Sequence, residues 1–332
     1  MANVGGHASR RWLTAGGLLV AAFNLPPVHC AAWQPLVGDS TDAILTVHRN
    51  PLSALRQGKI PAIVVRAALS PSRARHIVSL LGGSPSWDVR SPVYETLGVD
   101  LHTYVNRRGK HSAGRLESAY ANASARASSD FAASGYIAAT LALSSTLRGL
   151  HAAPVDFASH GIFRKQKAGS AFKPHSDTLH SAEWRRACRD RERQPLYKPV
   201  TGRAARVGPF SKMRAFEHQF SALLALQMGT DLLQDTHANG ELQLFDTDWR
   251  ELRSGCLASA RPYAVGVEFA NWQSDLRRVT HVRQHSLNLT VGDVYIFNSN
   301  RVHLVRSVSA GLPRIVLGSF VGYSADGLLV WS

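Results

Sequence analysis

The stretch that decides the fold is Gly292-Asp293-Val294-Tyr295-Ile296-Phe297, followed by Arg301-Val302-His303-Leu304-Val305 and by Arg314-Ile315-Val316-Leu317-Gly318-Ser319-Phe320. A Gly-Asp turn feeds one short apolar run, a second follows almost at once, and a third opens at an arginine. Runs this short, bounded by turn residues, read as strands rather than helices. Working outward, strand-like segments begin after residue 155, at 157–165, 220–228, 241–245, 263–269, 286–289, 293–297, 302–307 and 314–321. Short strands at close spacing suggest a sandwich or barrel.

The N-terminal half reads differently. Ala62-Ile63-Val64-Val65 is a strand, and Ser70-Pro71 then supplies a cap and a first-turn proline for a helix ending at Gly82-Gly83. Residues 130–149 read as a helix capped by Asp130, with Phe131, Ile137, Leu141 and Leu147 on its apolar side. The expected layout is a helical support over 33–154 and a β core over 155–325, interrupted by an insertion at 178–215. That insertion holds ten Lys or Arg against three Asp or Glu, so +7 of the chain's +15 sits there. Long insertions in a β domain are often lids or binding loops; the plainer reading is a solvated surface helix.

Before Asp39 there is no acid. Arg10 and Arg11 precede an apolar run over 12–25, too short to cross a bilayer, which takes about 20 residues. Residues 1–32 therefore read as a targeting or signal segment for the secretory pathway or an organelle, and no transmembrane span is expected elsewhere. The 332 residues, 45% hydrophobic and 18% charged, exclude a wholly disordered chain. Three cysteines, Cys30, Cys188 and Cys256, exclude a disulfide-built scaffold and carry no Cys-x-x-Cys zinc spacing. Whether Cys188 and Cys256 pair is open. The positive balance favours anionic partners, either nucleic acid or a small anionic substrate.

Chemistry gathers at His175-Ser176-Asp177. On a strand, residues i and i+2 share a face, so an imidazole and a carboxylate there can share one metal ion. His303 offers a second imidazole far downstream. Two histidines and a carboxylate on one face of an ion leave three positions open, which suits non-haem Fe(II). A bidentate 2-oxo acid and O2 would fill them. Arg314, opening an otherwise apolar strand, either grips the distal carboxylate of such an acid or reaches solvent.

On Gly169-x-x-Phe172-x-x-His175-x-Asp177, Gly240-Glu241-Leu242, Gly292-Asp293 to Phe297, His303 and Arg314, the chain resembles the Fe(II)/2-oxoglutarate-dependent dioxygenases, particularly the prolyl-4-hydroxylase-like branch. The resemblance covers about residues 155–323. It implies an α+β, mainly β fold, a double-stranded β-helix (jelly roll, cupin-like) core with N-terminal supporting helices. It implies His175, Asp177 and His303 as iron ligands and catalytic centre, and Arg314 as the 2-oxoglutarate anchor. Many relatives carry a tyrosine where this chain has Gln166, whose amide is the candidate second donor to the co-substrate. The retained Asp177 implies oxygenation, here hydroxylation of an unactivated C–H bond with succinate and CO2 as co-products and ascorbate as a supporting reductant. Desaturation or ring closure would use the same oxidant. The expected substrate is a small molecule or peptide, with anionic character suggested by the charge. The rival readings are a basic nucleic-acid-binding protein on a β scaffold and an inactive jelly-roll binding module. Thr178 and His180 are candidate pocket residues, Trp249 and Trp272 candidate substrate or core walls, and His281 and His285 surface residues.

Overall fold

The computed structural model describes residues 33–82, 87–89, 93–101, 113–177, 218–229, 240–248, 267–268, 282–308, 311–324 and 326–332. Strand β1 (Leu36–Gly38) leads into α1 (Thr41–Val47) and α2 (Pro51–Arg56). Ser40 and Asn50 cap these helices by accepting from Ala43 N and Ser53 N. Strand β2 (Ala62–Val65) is buried throughout, and α3 (Pro71–Gly82) starts at the expected proline, with Ser70 Oγ accepting from Arg73 N. Then come β3 (Asp88–Val89), β4 (Tyr94–Gly98), α4 (Ala113–Asp130), a short 3-10 turn (Ala132–Ser134) and α5 (Tyr136–Leu150).

The single helix expected over 130–149 is corrected here. Asp130 ends one helix instead of capping the next, and Gly135 breaks the chain with φ +73°. A Cβ on Gly135 would fall 2.6 Å from Cγ1 of Ile77, so the turn needs glycine on steric as well as torsional grounds. The apolar stripe also differs. Ile137 and Leu141 are 46% and 56% exposed, while Tyr136, Ala139, Leu143, Leu147 and Leu150 form the buried face.

The remaining strands are β5 (Val155–Phe157), β6 (Ile162–Gln166), β7 (Phe172–Ser176), β8 (His218–Gln227), β9 (Leu242–Asp248), β10 (Val267–Glu268), β11 (Gln284–Leu287), β12 (Val294–Asn298), β13 (Arg301–Val305), β14 (Arg314–Ser324) and β15 (Gly327–Trp331). The large sheet runs β1-β2-β12-β8-β14-β6-β4-β3, with β15 on β14 and β5 on β15. Its pairs are antiparallel except β1 with β2 and β5 with β15. The smaller sheet, β10-β7-β13-β9-β11, is antiparallel throughout. The segment 33–154 thus supplies β1 to β4 to the large sheet as well as the helices.

Two apolar clusters follow from strand alternation. One face of the large sheet, including Ile63, Leu224, Ile296 and Leu317, packs with Leu52, Leu55, Ile77, Leu143 and Leu147 of the helices. The other face presents Val64, Leu223, Tyr295, Phe297 and Val316 to Leu242, Leu244, Leu287 and Val305 of the smaller sheet. Each such side chain contributes about 1.5–3 kcal/mol on burial. Polar side chains interrupt the second cluster, and they form the site.

The turn before β12 is held by Asp293, which is fully buried. Its carboxylate accepts from Arg66 Nη1 at 2.5 Å, Ala67 N at 3.1 Å and Thr290 N at 2.8 Å. The Gly292-Asp293 turn therefore ties β12 to the chain leaving β2. Residues 1–32 and 178–215, the three cysteines, Thr178, His180, Trp249, Trp272 and His281 lie outside the described residues. His285 lies on β11 and is half-buried rather than at the surface.

Candidate metal centre and its neighbouring anion site

His175 is the half-buried penultimate residue of β7, and Asp177 follows where the strand ends. His303 lies in the middle of β13, with His175 as its Cα partner. Register shifts flank it on both sides, between His303 and Val305 against β7 and between Arg301 and His303 against β9. Such irregularities re-aim a side chain that a regular ladder would fix elsewhere. Asp177 Oδ1 lies 3.9 Å from His175 Nε2, and Oδ2 lies 3.4 Å from His303 Nε2. The two imidazole centroids are 4.2 Å apart. Among the described residues, these three form the one group of His, Cys, Asp and Glu whose ligand atoms all lie within 4.8 Å of one another.

The donor set fits a metal ion. Donors about 2.0–2.2 Å from one first-row ion lie at most about 4.4 Å apart, and both carboxylate–imidazole distances fall inside that limit. The hydrogen bonding of His303 fixes the ring's orientation as well. Its Nδ1 lies 2.9 Å from Arg301 O, and a carbonyl only accepts, so Nδ1 carries the hydrogen. Nε2 is then the ring nitrogen turned toward Asp177, and it is the one that would ligate an ion once it carries no proton.

Asp177 is held from behind. Its N donates to Ser299 O at 2.8 Å, and its own carbonyl accepts from Gln219 Nε2 at 2.8 Å. Ser176 Oγ donates to Asn300 O at 2.7 Å, anchoring the residue between the two ligands. Burial pushes the Asp177 carboxyl up. The hydrogen bond from His303 and the charges of His175, His303 and Arg164 outweigh it, so the net shift is down. The carboxylate is thus kept ionised inside the fold. Phe297 packs edge-on against His303, with centroids 4.8 Å apart, and shields it from water.

Arg314 is only 5% exposed at the start of β14. Nη2 donates to Tyr295 Oη at 2.6 Å, while Nε has no hydrogen-bond partner. Among the described residues no carboxylate lies within ion-pair distance of it. A buried guanidinium so placed calls for an anion. Gly240 explains part of its neighbourhood: at φ +76°, a Cβ there would fall 2.5 Å from Cδ of Arg314.

Gln166 is the Cα partner of Arg314. Its Nε2 donates to Ser170 O at 2.7 Å and Arg306 O at 3.1 Å, so both amide hydrogens are engaged by backbone. Its Oε1, buried without a hydrogen-bond partner, cannot donate to a carboxylate. The expectation of a donor at Gln166 is corrected: it secures the turn between β6 and β7. Sequence reading missed Tyr295, Gln219 and Arg164. Tyr295 shares a face with Phe297 two residues on, a signal present in the pattern of β12. No local pattern marks Gln219, which meets Asp177 only through the fold.

No protein-family model and no curated protein matches the chain. Among solved structures it is similar to an N-substituted L-amino acid dioxygenase from Burkholderia ambifaria AMMD, at 14% identity and TM-score 0.43, covering 85% of this chain and 90% of that one. It is similar also to HygX from Streptomyces hygroscopicus with nickel and 2-oxoglutarate bound, at 12% identity and TM-score 0.38, covering 80% and 84%. A third likeness is to the α-ketoglutarate-dependent epimerase SnoN from nogalamycin biosynthesis, at 12% identity and TM-score 0.38, covering 80% and 81%. Likeness at this level does not assign the chain to a family.

Proposed function

We propose that the chain is an Fe(II)- and 2-oxoglutarate-dependent oxygenase whose two facing sheets form a double-stranded β-helix. The observation that carries this reading is the gathering of His175, Asp177 and His303, together with a buried arginine on the facing sheet that has no carboxylate partner among the described residues. In this reading His175, Asp177 and His303 would hold Fe(II), and 2-oxoglutarate would be the co-substrate. Arg314 and Tyr295 grip the distal carboxylate of 2-oxoglutarate, the arginine with donors directed at the anion and the tyrosine with its hydroxyl hydrogen. The bound ion with its co-substrate supplies oxidative decarboxylation to succinate and CO2, coupled to oxidation of a substrate C–H bond.

The protein's part is positioning and exclusion of water. Ser299 and Gln219 fix the backbone of Asp177, and the Arg301 carbonyl fixes the ring of His303. Gln166 holds the turn that leads into β7 and so sets where His175 begins. Phe172 and Phe297 flank the two imidazoles and keep that side apolar. Hydroxylation is the outcome favoured by a retained carboxylate ligand. Placement in the prolyl-4-hydroxylase-like branch rests on the sequence motifs alone.

The test is succinate formation from 2-oxoglutarate with Fe(II) and ascorbate across a substrate panel that includes small acids and peptides, read by product mass. Succinate that depends on Fe(II) and disappears in His175→Ala supports the reading. No succinate with any substrate, together with no iron bound by the pure protein, overturns it.

A further inference from the structure

Arg164, in the middle of β6, belongs neither to the metal-ligand group nor to the Arg314–Tyr295 pair. The register places it on the face of β6 that looks into the site. Gln166 pairs with Arg314 and Arg164 pairs with Val316, a member of the cluster between the sheets. Its guanidinium lies along the bare backbone of Gly318, where a Cβ would sit 3.8 Å from Cζ, and 5.3 Å from the centroid of Phe320. Gly318 lies four residues along β14 from Arg314, about 13 Å at strand spacing. The two arginines therefore stand at different levels of one sheet face.

Charge bookkeeping on β6 sets Arg164 apart. Lys165 and Lys167, on the opposite face, both meet Glu95, at 2.5 Å and 3.3 Å. Arg164 has no ion pair and no hydrogen bond among the described residues; its contact is the Phe320 ring. Phe320, on which it stacks, and Phe297 are both Cα partners of Ser221 on β8, and Phe297 packs against His303, so Arg164 stands at the level of the metal centre. A half-buried arginine, stacked on an aromatic face with its donors unengaged, is built to receive a planar anion.

We infer that Arg164 is the anchor for the primary substrate, and that this substrate carries a carboxylate or similar anionic group near the C–H bond that reacts. The inference rests on the oxygenase reading, in which Arg314 and Tyr295 already serve the co-substrate. It makes Arg164 a specificity-determining residue.

Two measurements test it. In the first, benzoate and benzamide are titrated into the metal-free protein and followed by ligand-observed NMR. Wild type and Arg314→Gln should prefer the acid by about tenfold or more, and Arg164→Gln should lose that preference. Arg164→Lys should recover part of it, and a thermal melt checks that each variant is folded. In the second, with Fe(II) and 2-oxoglutarate, matched organic acids and their amides are compared as stimulators of succinate release. The acids should stimulate, and Arg164→Gln should raise their KM about tenfold or more while the 2-oxoglutarate requirement stays within about twofold. A 2-oxoglutarate requirement that rises in Arg164→Gln as it does in Arg314→Gln would assign this arginine to the co-substrate and overturn the inference. Equal stimulation by acids and amides would overturn it too. Benzoate preference lost in Arg164→Gln, with no succinate from wild type, would keep the anion site and reject the oxygenase reading, so the two failures are separable.

Discussion

Arg314 on β14 reaches Tyr295 on β12 across the strand between them, donating to its hydroxyl at 2.6 Å. Strand β8, which separates the two, presents the small Ala225 on that face and so leaves room for the contact. Burial raises the Tyr295 phenol, and the nearby charges of Arg314 and Arg164 only partly counter it. The tyrosine therefore stays neutral and keeps a hydrogen to donate after accepting from Arg314. Arg314→Gln should raise the 2-oxoglutarate requirement about 10- to 100-fold, and Tyr295→Phe about 5- to 10-fold. Titrating 2-oxoglutarate at saturating Fe(II) checks both, and an unchanged requirement in Arg314→Gln would remove the co-substrate from this end of the cleft.

The backbone of Asp177 depends on Gln219, which is 1% exposed and donates to its carbonyl. Partners behind a metal ligand are typically worth about 10- to 100-fold in affinity. Gln219→Leu, close in size but without the donor, should weaken Fe(II) binding by about tenfold. Calorimetric titration of metal into the variant measures this.

Asp293 is a stability determinant rather than a site residue. It is fully buried and accepts from one charged and two backbone donors. Asp293→Ala strands those donors and should cost about 3 kcal/mol. Urea unfolding of wild type and variant at one pH provides the number.

Glu95 carries the pH dependence that is simplest to read. Its hydrogen bond to Lys165 lowers its pKa from the ordinary 4.5 against the opposing effect of burial, with Lys167 adding to the shift. A depressed carboxyl stabilises the fold fully above its unfolded value, and that stability is lost as pH falls through the folded value. Glu95→Gln should therefore cost about 0.5–1 kcal/mol at pH 7, the scale of partly exposed pairs. The gap between variant and wild type should close as the pH drops below 4.5 and through the folded value, as measured by thermal melts across that range.

Much of the β core was legible because its strands are short, apolar and bounded by turn residues. The runs expected at 220–228, 293–297, 302–307 and 314–321 correspond to β8, β12, β13 and β14 with ends displaced by a few residues. His175, Asp177 and His303 were legible as chemistry-bearing types at suitable positions, and the cross-strand pairing of His175 with His303 brings them together. The helix at 130–149 was misread because Ile137 and Leu141 are apolar but face outward, and a single glycine at 135 redirects the chain. Gln166 was misassigned because a side-chain amide offers the same donors to a backbone carbonyl as to a ligand. Tyr295 and Arg164 could not be placed at the site without knowing which face of β12 and β6 turns toward the smaller sheet.

The most direct measurement is the stoichiometry of Fe(II) bound under anaerobic conditions by wild type, Asp177→Asn and His303→Ala, determined by metal analysis after gel filtration. One ion per wild-type chain is expected, and essentially none in either variant, with both variants still folded. Wild type that retains no iron, or His303→Ala that binds it as well as wild type, would contradict the claim that these three side chains form one ferrous centre.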